Sequence, residues 1–281
     1  MDEIQINFTK MTGAGNDFIL IDNRSGLYSI NWEGLAPELC DRRYGVGADG
    51  LLIVENSSKA DFEMKYYNSD GSYGGMCGNG GRCIAKFMMD IFNKRKINFE
   101  ALGYIYSADR LGNDIYLKMK PPKIINHNML INIDEDKVEI FIVDTGAPHA
   151  VIFLDDVSQN LNSKIKLKGI LSIGSFIRNH DILKPTGTNV NFAVLNQDRS
   201  ISMRTYERGV ENETLACGTG AIACAIAASI KKDVESPVII KTQSGEILTV
   251  KFSRIDAEFN NVELIGSAKE VFTGIYKYNN T

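Results

Sequence analysis

The chain has no basic block of five or six residues, no apolar run of membrane-spanning length, and only three histidines in 281 residues. Each shortage excludes something. Asn93-Lys94-Arg95-Lys96 is too short for a nucleic-acid footprint, and the net charge is −4. A membrane helix needs roughly 18 consecutive apolar residues, and none occurs. The start, Met1-Asp2-Glu3-Ile4-Gln5, lacks the charged-then-apolar pattern of a signal segment. The histidines at 127, 149 and 180, with no Cys-x-x-Cys pair, suggest no zinc site. Cysteines number five, an odd count without disulfide-framework spacing. Reduced thiols in a cytoplasmic protein, with neither nucleic acid nor membrane as partner, are the expectation.

Two of those cysteines carry the most information. Cys77-Gly78-Asn79-Gly80-Gly81 and Cys217-Gly218-Thr219-Gly220-Ala221 lie 140 positions apart, half the chain length. An apolar stretch follows each. Met64-Lys65-Tyr66-Tyr67-Asn68 precedes the first and Met203-Arg204-Thr205-Tyr206-Glu207 the second, an offset of 139. Thr12-Gly13-Ala14 matches Thr145-Gly146-Ala147 at an offset of 133, and an apolar run ending in aspartate follows both. Three landmarks in one order indicate an internal duplication. Two halves of about 140 residues would each be long enough to bury a core.

Short β-branched or alternating runs dominate: Ile4 to Phe8, Phe18 to Ile21, Leu51 to Val54, Phe62 to Tyr67, Ile115 to Met119, Val138 to Val143, Ala150 to Leu154, Ile201 to Tyr206, Val238 to Lys241, Ile247 to Phe252 and Asn261 to Ile265. Helical patterns are few: Asn31 to Cys40, Gly80 to Phe92, Thr219 to Lys231, and a fourth from Ile165 to Leu171 or Ile177. Many strands per helix give an α+β class: two pseudo-symmetric halves, each a curved sheet or barrel around a central helix. Lys120-Pro121-Pro122-Lys123 is the expected boundary, since consecutive prolines continue neither element. The halves are then 1–122, with 268–281 returning to it, and 123–267. Pro185-Thr186-Gly187-Thr188 marks a loop, and the polar tail from Tyr276 to Thr281 is expected to fray.

A thiol at a helix start has a chemical rationale. Only a few per cent of free cysteine is thiolate at neutral pH. A helix N-terminus offers unpaired N–H groups and partial positive charge, worth up to about 2 kcal/mol in a partly buried setting. Lowering a pKa by two units takes about 2.7 kcal/mol. The helix start thus supplies much of such a shift and also suits a bound carboxylate. Cys40, Cys83 and Cys224 fall among apolar residues and read as small buried hydrophobes. Cys77 and Cys217 sit in Gly-x-Gly loops that give no packing reason for a thiol. One thiol per half suits a reaction that removes a proton from one face of a carbon and returns one to the other.

These residues resemble the diaminopimelate epimerase family, cofactor-independent amino-acid epimerases of lysine and cell-wall biosynthesis. The resemblance covers nearly the whole chain. Its blocks are Gly13-Ala14-Gly15-Asn16-Asp17-Phe18; Asp41-Arg42-Arg43-Tyr44-Gly45-Val46-Gly47-Ala48-Asp49-Gly50; Asn68-Ser69-Asp70-Gly71-Ser72 followed by Cys77 to Cys83; and Glu207-Arg208-Gly209 followed by Glu213 to Gly220. It implies a two-base reaction on L,L-diaminopimelate giving the meso isomer, with Cys77 and Cys217 as the exchanging thiol and thiolate. It places the α-carboxylate at the helix starts, at Gly78, Asn79, Gly80, Gly218 and Thr219. Asn16, Asn68, Asn189, Glu207 and Arg208 match substrate-holding positions, a guanidinium suiting a carboxylate and a carboxylate an ammonium. It implies no cofactor and no metal, an amino-acid substrate, and a homodimer as a common state.

One departure stands out. The family commonly has Gly-Asn-Pro-His where this chain has Gly146-Ala147-Pro148-His149. Losing one neutral hydrogen bond costs roughly 0.5–1.5 kcal/mol, which leaves diaminopimelate the first choice and a racemase of another amino acid the alternative. His149 reads either as a substrate-side residue or, in slight preference, as a partner that fixes its loop. Asn191, two positions past Asn189, competes with it for the binding role. A non-catalytic binding protein is disfavoured by retention of both thiols, and a pyridoxal-phosphate enzyme by the lack of a lysine in a recognisable setting. The halves are expected to close on substrate about a hinge near Pro121-Pro122 and Ser267.

Overall fold

The computed structural model describes residues 3–256 and 258–279. The chain forms two compact units, Met1–Lys118 with Gly266–Thr281, and Met119–Ile265.

The first unit runs strand Glu3–Gly13, strand Asn16–Asp22, helix α1 (Trp32–Cys40), strands Gly50–Glu55 and Phe62–Asn68, helix α2 (Gly78–Phe92), then strands Lys96–Ala101, Tyr104–Leu111 and Asp114–Lys118. Asn16–Asp22 pairs in parallel with Gly50–Glu55, which pairs antiparallel with Phe62–Asn68. Phe62–Asn68 pairs in parallel with Lys96–Ala101. Parallel neighbours need a crossover, and α1 and α2 provide the two. The second unit repeats this order. Pro148–Phe153 is parallel to Asn189–Leu195, which is antiparallel to Ile201–Glu207, which is parallel to Val238–Lys241. Helices α3 (Gln159–Arg178) and α4 (Gly218–Lys231) make the crossovers.

Strand sequences explain the layering. Leu51, Leu52, Ile53 and Val54 are all fully buried, as a strand covered on both faces requires. Ile19, Ile21, Leu51 and Ile53 join one core with Trp32, Leu35 and Leu39 of α1. The opposite face turns to α2, where Phe18 and Leu52 flank Gly80. In the second unit Ala150, Ile152, Val190 and Phe192 pack with Leu161, Ile165, Ile173 and Ile177 of α3. Helix α4 is buried from Ala221 to Ser229 on every side, so small residues fill it. Strands on several sides contact α2 and α4, so each is the central helix of a curved, mostly stranded unit.

The structure departs from the sequence expectations at the less apolar strands. Lys96–Ala101 and Tyr104–Leu111 form a hairpin around Leu102 and Gly103, both at positive φ (50° and 68°). Lys123–Ile133 is largely exposed and carries too weak an alternation to stand out. The tail does not fray through Asn279: Lys269–Asn279 pairs antiparallel with Glu3–Gly13, Ile4 opposite Tyr278. Asn280 and Thr281 lie outside the described residues. Helix α3 starts earlier than expected and is broken at Gly169 (φ 75°).

Candidate active site

Cys77 and Cys217 occupy the same local geometry. Each is the N-cap of its helix, with extended backbone (φ −113°, ψ 124° and φ −129°, ψ 112°). Each sulfur accepts the N–H of the residue three positions on, Gly80 or Gly220, at 3.4 Å. Serine or aspartate oxygen normally fills this role, because the first helical N–H groups lack intrahelical acceptors. A capping sulfur therefore receives a hydrogen bond and the positive end of the helix at once, and both favour thiolate. Cys77 is half-buried and Cys217 is 7% exposed. The other thiols differ. Burial pushes Cys40 up to about 12 and Cys224 still higher, which suits inert core residues.

Around Cys77 the first unit gathers Asn16, Asn79 and a buried cation. Asn79 Nδ2 donates to Asn16 Oδ1. Arg82, one turn into α2 and fully buried, donates to Asn79 Oδ1 at 3.0 Å and Gly78 O at 3.3 Å. Asn16 Nδ2 donates to Asp49 at 3.0 Å. Arg42 then ties Asp49 (2.7 Å) to Asp17 (2.7 and 3.0 Å), and Lys10 reaches Asp17 at 2.8 Å. The Asn16 amide is thus clamped at both ends. Asn68 ends its strand in a turn, its Nδ2 donating to Ser72 Oγ at 2.9 Å.

Around Cys217 the second unit gathers His149, Asn189, Glu207, Arg208 and Thr219. His149 lies opposite Asn189 in register, and Val190 opposite Tyr206, so His149, Asn189 and Glu207 come to the same end of their strands. Asn189 donates to Pro148 O (3.2 Å) and accepts the Arg208 N–H (2.8 Å). Glu207 accepts Thr214 Oγ1 at 2.8 Å and Arg208 donates to Thr186 O at 3.2 Å. Thr219 Oγ1 stands 2.9 Å from His149 Nε2 and 3.4 Å from Cys217 Sγ. Burial holds His149 neutral, down to about 3, with the Arg208 charge acting the same way. Ala147 is half-buried in a turn closed by Thr145 N–H to its carbonyl at 3.1 Å.

Sequence reasoning passed over Arg82, Asp49 and Thr205, whose Oγ1 donates to the buried Asn191 Oδ1 at 2.9 Å. Arg82 and Asp49 lie inside recognised blocks, but their partners, Asn79 and Asn16, are distant in sequence or a helical turn away. Thr205 stands within a strand pattern, where threonine is an ordinary strand former.

A model of the diaminopimelate epimerase family matches residues 8–108 and 141–269. A diaminopimelate epimerase of Chlorobaculum tepidum is 40% identical over 269 residues, covering 94% of this chain and 98% of its own. One of Aquifex aeolicus is 38% identical, covering 96% and 97%. Among solved structures, a hydroxyproline epimerase from Agrobacterium vitis superposes with a TM-score of 0.70 at 14% identity, covering 97% and 92%. A probable proline racemase from Agrobacterium radiobacter gives 0.71 at 11%, covering 96% and 92%. These two share the fold. The family match spans both cysteine helices, and the chain belongs to the diaminopimelate epimerase family.

Proposed function

We propose that this chain interconverts L,L- and meso-diaminopimelate, drawing one thiol from each unit. The observation that carries the assignment of the bases is the matched capping geometry of Cys77 and Cys217. One sulfur, as thiolate, takes the α-proton, and the C–H electron pair moves onto the α-carbon and its carboxylate. The other, as thiol, delivers a proton to the opposite face. The product leaves thiol and thiolate exchanged, so the enzyme runs in both directions without a co-reactant.

The developing charge on the carboxylate is met by N–H groups at the helix starts. Gly80 and Gly220 already point their N–H groups at sulfur, so Gly78, Asn79, Gly218 and Thr219 take the larger share. Asn16, Asn68, Asn189, Glu207 and Arg208 hold the rest of the substrate. Asn16 has one amide proton committed to Asp49 and a second to offer. Relatives named as diaminopimelate epimerases at about 40% identity support the substrate. We place the reaction in the cytoplasm, where thiols stay reduced, and infer a homodimer, for which sedimentation should give twice 31.1 kDa.

The test is turnover of L,L-diaminopimelate by wild type, Cys77→Ala and Cys217→Ala. Each variant should lose at least about 100-fold in rate, the usual worth of an acid or base. Full activity in either would remove that thiol from the mechanism. Ala147 bears on the second reading, a racemase of another amino acid. Ala147→Asn should change KM for diaminopimelate by no more than about tenfold, one hydrogen bond. A wild type inactive on diaminopimelate yet active on another amino acid would establish that reading.

A further inference from the structure

Behind Cys217 runs a line of buried polar side chains that the two-base reaction leaves unexplained. Asn191 is fully buried on the strand Asn189–Leu195, on the face turned to α4. Its Nδ2 donates to Ala150 O at 3.2 Å and lies 3.0 Å from His149 Nδ1. Its Oδ1 accepts Thr205 Oγ1 at 2.9 Å. These bonds settle the amide's orientation. Turned over, its carbonyl would meet the Ala150 carbonyl, acceptor against acceptor, away from water.

An amide nitrogen only donates, so His149 Nδ1 must offer its lone pair. A neutral imidazole has one proton, which is therefore on Nε2. That N–H points at Thr219 Oγ1, 2.9 Å away. Thr219, having accepted it, turns its own proton to Cys217 Sγ at 3.4 Å. Asn189 Nδ2, 3.5 Å from Nε2, is engaged by Pro148 O and does not compete.

We propose that Asn191 is a positioning residue that holds His149 as its Nε2–H tautomer and thereby aims the Thr219 hydroxyl at the Cys217 sulfur. The sulfur then has two donors, Thr219 O–H and Gly220 N–H, both of which stabilise thiolate. The charged groups on adjoining segments are Asp144, Glu207 and Arg208. Arg208 opposes protonation of His149, as does burial, so the line keeps one direction through the neutral range.

The fold itself does not demand this line. In the first unit Leu52 flanks Gly80, as Asn191 flanks Gly220. Leu52 is 139 positions before Asn191, the offset of the duplication. Asn79, counterpart of Thr219, turns to Asn16. A leucine thus packs the same helix turn without polar groups, whereas the second unit has there a buried amide that must be satisfied.

The significance for catalysis depends on Cys217 being a working thiol, but the test does not need turnover. The protein has three histidines, so long-range ¹H–¹⁵N spectra of ¹⁵N-histidine protein resolve each, with His149→Gln giving the assignment. His149 should show the Nε2–H tautomer and no titration from pH 5 to 8. In Asn191→Asp, isosteric and able to accept from Nδ1–H, the tautomer should invert, so that Nε2 loses its proton and no longer donates to Thr219. Cys217 alkylation by iodoacetamide at pH 7, read by peptide mass, should slow about tenfold there, the worth of one bond to a charged sulfur, while Cys77 keeps its rate. Asn191→Leu should slow Cys217 likewise, and circular dichroism checks its fold. An Nδ1–H tautomer in wild type overturns the proposal, as does an unchanged Cys217 profile in Asn191→Asp or equal slowing of both thiols. A wild type that shows the tautomer and alkylation results as stated but does not turn over L,L-diaminopimelate would instead count against the epimerase reading.

Discussion

At the scale of single residues, sulfur replaces oxygen as the capping atom of two helices. That substitution separates structure from chemistry. Cys77→Ser should keep the cap, and so keep the melting temperature within a few degrees, while turnover falls at least about 100-fold. Thermal unfolding and a rate assay on the same preparation check both. His149 offers a second residue-scale test. Its pKa falls from 6.5 in the unfolded chain to about 3 in the fold. Below pH 6.5 the unfolded chain binds a proton that the fold excludes. Stability is therefore full above pH 6.5 and falls as pH drops toward 3, by about 1.4 kcal/mol per unit for this group. Urea unfolding at pH 7, 6 and 5 should show that slope, and His149→Gln should reduce it.

Elements set where the functional residues stand. Each catalytic candidate is at an element's end: Cys77 and Cys217 before helices, Asn68 and Glu207 closing strands, Asn16 and Asn189 opening them. In the first unit's site, the start of strand Asn16–Asp22 carries the densest set of polar ties. Burial would raise the Asp17 carboxyl, but bonds from Arg42 and Lys10 outweigh it and hold it at about 2 against 3.8. Its contribution to stability is present above pH 3.8 and is lost as pH falls through 2. Asp17→Asn should thus lower the melting temperature at pH 7 and narrow the difference from wild type below pH 3. These elements were legible in unequal measure. Helix α4 and the buried strands such as Leu51 to Val54 announce themselves by continuous apolar runs, and α2 by apolar residues at helical spacing. Lys123–Ile133 and Lys269–Asn279 did not, because their stability comes from pairing with a neighbour strand and not from burying a patterned face. The Leu102-Gly103 turn lacks the Asn-Gly signal that would have marked its hairpin.

Across the whole molecule, one order of strands and crossovers occurs twice. Three landmark pairs disclosed it in the sequence, and the strand pairings of each unit repeat it. What differs between the units was much less legible. Leucine at 52 against asparagine at 191, and arginine at 82 against isoleucine at 222, are ordinary residues in a sequence. Only packing shows that Arg82 braces Asn79 and that Asn191 meets His149. The repeated order accounts for two like thiols, and their surroundings differ: Asn79 turns to Asn16, whereas Thr219 meets His149.

The central claim is that two thiols act on opposite faces of one carbon. Its most direct test is L,L-diaminopimelate in deuterium oxide, with deuterium measured at the α-carbon of product and of unreacted substrate during the first few per cent of conversion. The account predicts meso product carrying one solvent deuterium and L,L substrate still unlabelled. Product that keeps its original α-proton, or substrate labelled as fast as product, would mean that one base serves both faces and would contradict it.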